Sequence, residues 1–245
     1  MTSSLAKALN SPAALVENLP PLENGDRLTR PEFERRYQAM PTKKNRTKKA
    51  ELIEGVVYMA SPLRFKFHAE PHGNLIGWLW TYKAATPEVQ MGIEPTIRLD
   101  IDNEPQPDGV LLISQPSGGK STLSEEGYLE GAPELVVEIA ASSAAIDLGD
   151  KKRAYRRSGV QEYLVWQVFD QKIDWFSLQD GDYISLLPNQ GIICSLVFPG
   201  LWLDVAAMLN GDMPRVLDIL QVGINGLEHQ EFVQKLIALQ SGAAP

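Results

Sequence analysis

The chain is nearly without cysteine. Cys194 is the only one in 245 residues, which excludes an intrachain disulfide and any metal site built from thiolates, since each needs several cysteines. Long uncharged apolar runs are absent, so no transmembrane helix is expected. The N-terminal MTSSLAKALNSPAALVENLPPLENGD has neither the basic start nor the solid apolar block of a signal peptide, and the cytoplasm is the expected compartment. No glycine-rich phosphate loop of a known spacing occurs, and no G-x-S-x-G elbow. An excess of positive charge is missing as well. The net charge is −8, which argues against broad non-specific attraction to nucleic acid. It leaves room for local basic patches. One is KKNRTKK at 43–49, and Lys151–Lys152–Arg153 with Arg156–Arg157 forms another.

What is present is the patterning of a folded chain. Apolar residues make up 44% and charged residues 22%, ordinary proportions for a packed core of one or two domains. Residues 1–27, rich in Ser, Ala, Pro and Asn, read as a mobile leader. A core domain is expected over 28–203 and a helical extension over 204–245. Thr29, Pro31 and Glu32 carry the signature of a capped helix over 30–40. ELIEGVVYMAS opens a strand or hairpin. His68 to Lys83 has helical spacing, with His72, Leu75, Ile76 and Leu79 on one face. VQMGIEPTIRLDI alternates like a half-buried strand, while QPDGVLLI, LVVEIAA and EYLVWQVF read as more deeply buried ones. Residues 114–131 read as a loop. Asp147 is placed to cap a helix over 148–158 that Gly159 closes. Asp180–Gly181 marks a hairpin turn. The order of elements predicts an α+β fold, a mixed β-sheet flanked by helices, rather than a doubly wound sheet.

Two acids stand out within the apolar runs. Asp108 heads the strand GVLLI just after a proline. Glu138 lies in mid-strand, on the face of Val136 and Ala140 and opposite Leu135, Val137 and Ile139. Both faces read as apolar, so an ionised Glu138 needs a compensating partner. A metal ion, a lysine or an arginine such as Arg98 would serve. Two carboxylates on neighbouring strands would make a hard-oxygen site suited to Mg²⁺ or Mn²⁺, and a nearby lysine would offset negative charge developing on a phosphodiester. Lys151 or Lys152 could turn back toward Glu138, and spacing does not choose between them. The alternative is structural: Asp108 as a turn acid and Glu138 in an ion pair. His68 and His72, four apart, could share a zinc ion, but no third ligand stands at a telling spacing. The apolar stripe under His72 favours a hydrogen-bonded core histidine. The tryptophans read as core rather than as stacking platforms for bases.

These stretches resemble the Uma-two family of restriction-endonuclease-like proteins, within the PD-(D/E)XK nuclease superfamily. The resemblance runs through ELIEGVVYMASP, the histidine-bearing helix, QPDGVLLI, APELVVEIAASS and the series Asp147, Lys151, Tyr155, Gly159–Val160 and Glu162–Tyr163. It covers about residues 29–200. It implies a restriction-endonuclease-like fold and a metal-dependent endonuclease acting on nucleic acid, DNA in the first place. Asp108 and Glu138 would hold Mg²⁺ or Mn²⁺, and Lys151 would be the catalytic lysine. Glu51 matches a further acid near the N-terminal helix, His72 matches a family histidine, and Tyr155 and Lys152 would stand close by. Cutting of both strands would imply a homodimer. One position departs from the superfamily pattern: two residues after Glu138, where the lysine usually stands, is Ala140. The lysine role then passes to Lys151. The rival reading is a nuclease fold that binds nucleic acid, or serves as a scaffold, without cutting.

Overall fold

A computed structural model describes residues 19–40 and 49–242. The basic run at 43–49, apart from Lys49, and residues 1–18 of the expected leader lie outside the described residues. The chain forms two compact units, one of 1–61 with 100–104, the other of 62–99 with 105–245.

The smaller unit carries helix α1 (Arg30–Gln38) and the antiparallel pair β1 (Ala50–Ile53) and β2 (Val56–Met59). Phe33, Leu52 and Val57 form its core with Leu22. The chain from Leu22 onward is tied to this hairpin, with the Gly25 amide donating to the Val57 carbonyl at 2.8 Å. Thr29 stands at the N-cap of α1 but its side chain makes no capping bond. Glu32 turns instead to Arg35 and Arg36, so the expected reciprocal cap is replaced by ion pairs along the helix.

The larger unit is built on a six-stranded mixed sheet. A wide, π-helical turn over Phe65–Ala69 leads into α2 (Glu70–Ala85), then β3 (Val89–Ile93), β4 (Ile97–Arg98) and β5 (Gly109–Ile113). The expected single strand through residue 101 is broken. Glu94 takes a positive φ of 49° and Pro95 has no amide to give a ladder. Short strands β6 (Thr122–Leu123) and β7 (Leu129–Glu130) interrupt the expected loop and join β4 in a small sheet. The central strand β8 (Leu135–Ala140) is followed by α3 (Ala144–Ile146), a second π-helical turn at Asp147–Lys151, α4 (Lys152–Ser158) and β9 (Glu162–Gln167). The hairpin β10 (Lys172–Gln179) and β11 (Asp182–Ser185) turns at Asp180 and Gly181. Both take positive φ, the mirror-image turn that matches strand twist. Strands β12 (Ile192–Cys194) and β13 (Trp202–Asp204) pair, and α5 (Val205–Leu209), α6 (Met213–Ile224) and α7 (Leu227–Gln240) end the described chain.

The sheet order is β11-β10-β9-β8-β5-β3. Within it β8 and β9 run parallel and the other neighbours antiparallel. The parallel pair needs a crossover, and the α3–α4 segment supplies it. Both strands are buried along their whole length, which is why they read as continuous apolar runs. Leu135, Val137 and Ile139 face one core with Leu75, Trp78 and Leu79 of α2. Val136 and Ala140 face another with Tyr155 and Tyr163. The C-terminal helices close the first core, where Val216, Leu220 and Leu236 are buried. α6 approaches so closely that a Cβ on Gly223 would stand 2.3 Å from the Gly200 carbonyl oxygen.

Glu162, at the start of β9, is fully buried. It accepts bonds from Ser195 Oγ at 2.7 Å, the Leu196 amide at 2.7 Å, the Val197 amide at 3.2 Å and Trp175 Nε1 at 3.2 Å. Burial pushes its carboxyl up to about 7, against the pull of those donors. A carboxyl that holds its proton more tightly when folded adds stability that is complete below the unfolded-chain value, about 4.3. That stability is lost as pH rises through the folded value. Wild-type melting temperature should therefore carry a downward component between about pH 5 and 7. Glu162→Gln should flatten that part of the profile in parallel thermal melts.

Candidate active site

The register of the sheet places the two acids of the larger unit on neighbouring strands. Gly109 pairs with Val137 and Val110 with Val136 across β5 and β8. Continuing that antiparallel register by one residue sets Asp108 opposite Glu138. Asp108 is buried, and its Oδ2 accepts a bond from the Ile139 amide at 2.6 Å. The carboxylate thus fastens the head of β5 to β8 one residue beyond the last ladder pair. Its other oxygen, Oδ1, lies 3.2 Å from His68 Nε2. His72 Nε2 stands 2.9 Å from the Asp108 carbonyl oxygen.

Glu138 is buried on the face of Val136 and Ala140, as alternation along β8 dictates. Its Oε1 accepts from Lys151 Nζ at 3.0 Å and from the Tyr155 hydroxyl at 3.0 Å. Lys151 is 7% exposed and Glu138 5%, so the pair is dry enough for its charges to interact strongly. Lys151 Nζ also lies 3.6 Å from Asp147 Oδ1. Asp147 is itself buried and takes a 2.5 Å bond from Ser143 Oγ, while its carbonyl accepts from the Tyr163 hydroxyl at 2.9 Å. One ammonium is shared between two buried carboxylates. Removing either charge from such a group exposes the other to the full cost of burial.

The crossover segment explains why Lys151 arrives here. The helix begins at Ala144 with Ser143 at its N-cap, so Asp147 is inside the segment and not its cap. The wide turn over Asp147–Lys151 keeps residues 147 and 151 on one side. That side is the buried one, facing β8.

A family described as "Putative restriction endonuclease", Uma2, matches residues 32–206. The chain belongs to the Uma2 family. A solved structure described as a "putative nuclease" of DUF820 from Anabaena variabilis is similar at 14% identity and a TM-score of 0.49, covering 71% of this chain and 98% of that one. No curated protein matches.

In this Uma2 chain the residues singled out from sequence fall in distinct places. Asp108, Glu138, Lys151, Tyr155 and His72 all lie in the larger unit, joined by the contacts above. Lys151 takes the Glu138 carboxylate. Lys152 instead sets its ammonium over the Phe176 ring, 3.3 Å from the centroid. Burial lowers its pKa there, against the pull of Asp174. Arg98 pairs with Glu126 at 2.8 Å and Glu130 at 3.6 Å. Glu51 sits on β1 of the smaller unit, opposite Tyr58. Two participants were not singled out by sequence reasoning as members of the acid site. Asp147 reads from sequence as a cap and as the first residue of the family series, not as a site acid, although its spacing of four from Lys151 is visible. His68 had no visible third partner, because Asp108 is forty residues away.

The buried pair makes a direct prediction. Lys151→Met should destabilise the protein by about 3–5 kcal/mol, because Glu138 is left charged and buried. The double variant Glu138→Gln/Lys151→Met should recover only part of that loss, because Asp147 stays buried without the ammonium, and adding Asp147→Asn should recover most of it. Urea denaturation of the three variants and the wild type measures each step.

Proposed function

We propose that the protein is a metal-dependent endonuclease that hydrolyses phosphodiester bonds of nucleic acid, with DNA as the first substrate to test. The observation that carries this reading is the buried Glu138–Lys151 pair on β8, the strand to which Asp108 is bonded through the Ile139 amide, in a chain of the Uma2 family. Two oxygen-donor acids carried on adjacent strands would suit a divalent metal. Asp108 and Glu138 would hold Mg²⁺ or Mn²⁺. The ion would polarise a phosphate oxygen and favour attack by water at phosphorus.

The chain's own residues do the rest. Asp108 is aimed by the Ile139 amide, so its carboxylate is held before any ligand arrives. Lys151 supplies the positive charge that offsets the growing negative charge on the phosphate. The Tyr155 hydroxyl shares Glu138 Oε1 with Lys151 and steadies the rotamer of both. His72 fixes the backbone at Asp108. In this reading Glu51 is a further catalytic acid and Lys152 a residue on the substrate side. A homodimer would let two such centres cut both strands, and the cytoplasm is where the reading places the protein. No helix among the described residues is long and apolar enough to cross a membrane.

The second reading is a nuclease fold that binds nucleic acid without turnover. It draws on Ala140, which is buried against Tyr155 and leaves the usual lysine position without a charge.

Purified protein incubated with plasmid and with single-stranded DNA, with Mg²⁺ or Mn²⁺, decides between them. Metal-dependent nicking is expected. Asp108→Ala and Glu138→Ala should each lower it by about a hundredfold or more, the scale of losing a preorganised charge at a reacting phosphate. DNA binding without cleavage in wild type would leave the binding reading standing.

A further inference from the structure

The π-helical turn at Phe65–Ala69 has a visible cause. Pro71 stands in the first turn of α2. It has no amide to donate to the Phe67 carbonyl, and its ring crowds that oxygen. The chain before it widens. The Ala69 amide reaches the Arg64 carbonyl at 3.3 Å and the Glu70 amide the Phe65 carbonyl, both five residues back. Wide turns of this kind recur at functional sites. Here the turn carries His68, and the following α-helix carries His72. Their rings lie 5.6 Å apart.

Asp108 completes the group. His68, His72 and Asp108 each offer a ligand atom, and these atoms lie within 4.8 Å of one another. His68 Nε2 and Asp108 Oδ1 are 3.2 Å apart, close to the edge of about 3.4 Å that two ligands span around a tetrahedral ion with bonds near 2.1 Å. A carbonyl oxygen can only accept, so His72 Nε2 donates to Asp108 at 2.9 Å. That leaves the lone pair on Nδ1. Metal-binding imidazoles are commonly held in this way, with the second ring nitrogen donating to a backbone carbonyl. Asp108 Oδ2 is likewise steadied by the Ile139 amide. The two histidines are half-buried, which gives an ion a path in.

We propose that His68, His72 and Asp108 form a centre for a divalent transition metal of the zinc type, with an open coordination position. Two imidazole nitrogens and one carboxylate favour Zn²⁺, Co²⁺ or Mn²⁺ over Mg²⁺, which demands oxygen donors in an octahedron. Three protein ligands leave a fourth position for water or substrate. The centre shares Asp108 with the endonuclease reading but needs no turnover to exist. It predicts metal retention by a resting protein, with a preference opposite to that of a site made of Asp108 and Glu138 alone.

The test is metal binding by the full chain. Cys194 is exposed and is removed as Cys194→Ser to exclude a thiolate ligand. Zn²⁺ affinity is read by competition with a chromophoric chelator, and Co²⁺ by its visible absorption, with Mg²⁺ as the competing ion. The expected result is one tight Zn²⁺ equivalent that millimolar Mg²⁺ does not displace. His68→Gln and His72→Asn should each weaken it by about a hundredfold or more, beyond the loss expected of a supporting hydrogen bond alone. Glu138→Gln should bind Zn²⁺ as wild type does. Melting curves confirm that each variant is folded. Absence of tight Zn²⁺ binding would overturn the centre. So would binding that survives both histidine changes, or that vanishes with Glu138→Gln. Each of those outcomes leaves DNA nicking with Mg²⁺ free to succeed or fail separately.

Discussion

A carboxylate in the middle of a sheet strand must be answered from outside its own strand. Glu138 has apolar neighbours before and after it on β8, and burial on this scale makes an uncompensated charge prohibitive. The answer is Lys151, brought 3.0 Å away by the crossover between β8 and β9. Because those two strands run parallel, the chain has to pass over the sheet between them, and the helix that carries it has to lay one side on the face where Glu138 points. Tyr155 and Asp147 arrive on that same side. The ion pair and the topology therefore require one another. A parallel pair without the crossover would leave Glu138 unanswered, and a crossover with its other side inward would bury Lys152 in place of Lys151.

The acid site also depends on the opposite neighbour of β8. β5 runs antiparallel to it, and the ladder ends at Gly109 and Val137. Asp108 continues the register by a side-chain bond to the Ile139 amide instead of a backbone one. That single bond joins the strand carrying Glu138 to the residue next to both histidines. Glu162 repeats the device at the other end of the sheet, where one carboxylate gathers four donors and pins the segment 195–198 to the strands. In both places a buried acid substitutes for backbone pairing where the chain leaves the regular ladder, which is how buried polar groups remain satisfied.

Much of this was legible in the linear chain. The mixed sheet with flanking helices, the hairpin at Asp180–Gly181, the buried character of β8 and β9 and the face on which Glu138 lies all follow from local periodicity and turn chemistry. The family resemblance is a separate matter and rests on motifs in a fixed order. The errors are local competitions that pattern alone does not resolve. Thr29 and Glu32 have the residues of a reciprocal cap, yet Arg35 and Arg36 draw Glu32 away. Asp147 has the residue type of a cap because acids favour that place, but Ser143 holds the N-cap of the segment four residues earlier, ahead of the wide turn that leads into α4. The alternation through Ile101 looked like one strand until Glu94 and Pro95 broke it.

By itself the sequence determined which residues carry charge into the core, since hydrophobic period and strand propensity are short-range properties. It named Asp108 and Glu138, and it narrowed the cation to Lys151 or Lys152 and the arginines. Only the tertiary structure decided among them, because the choice rests on the rotation of the crossover segment about its axis, and a wide turn at Asp147–Lys151 changes that rotation. Only the tertiary structure brought His68 to Asp108, since the two are separated by a helix and two strands and meet through the way α2 lies against β5. Contacts of that range are set by packing, and packing is not written in any one window of the chain.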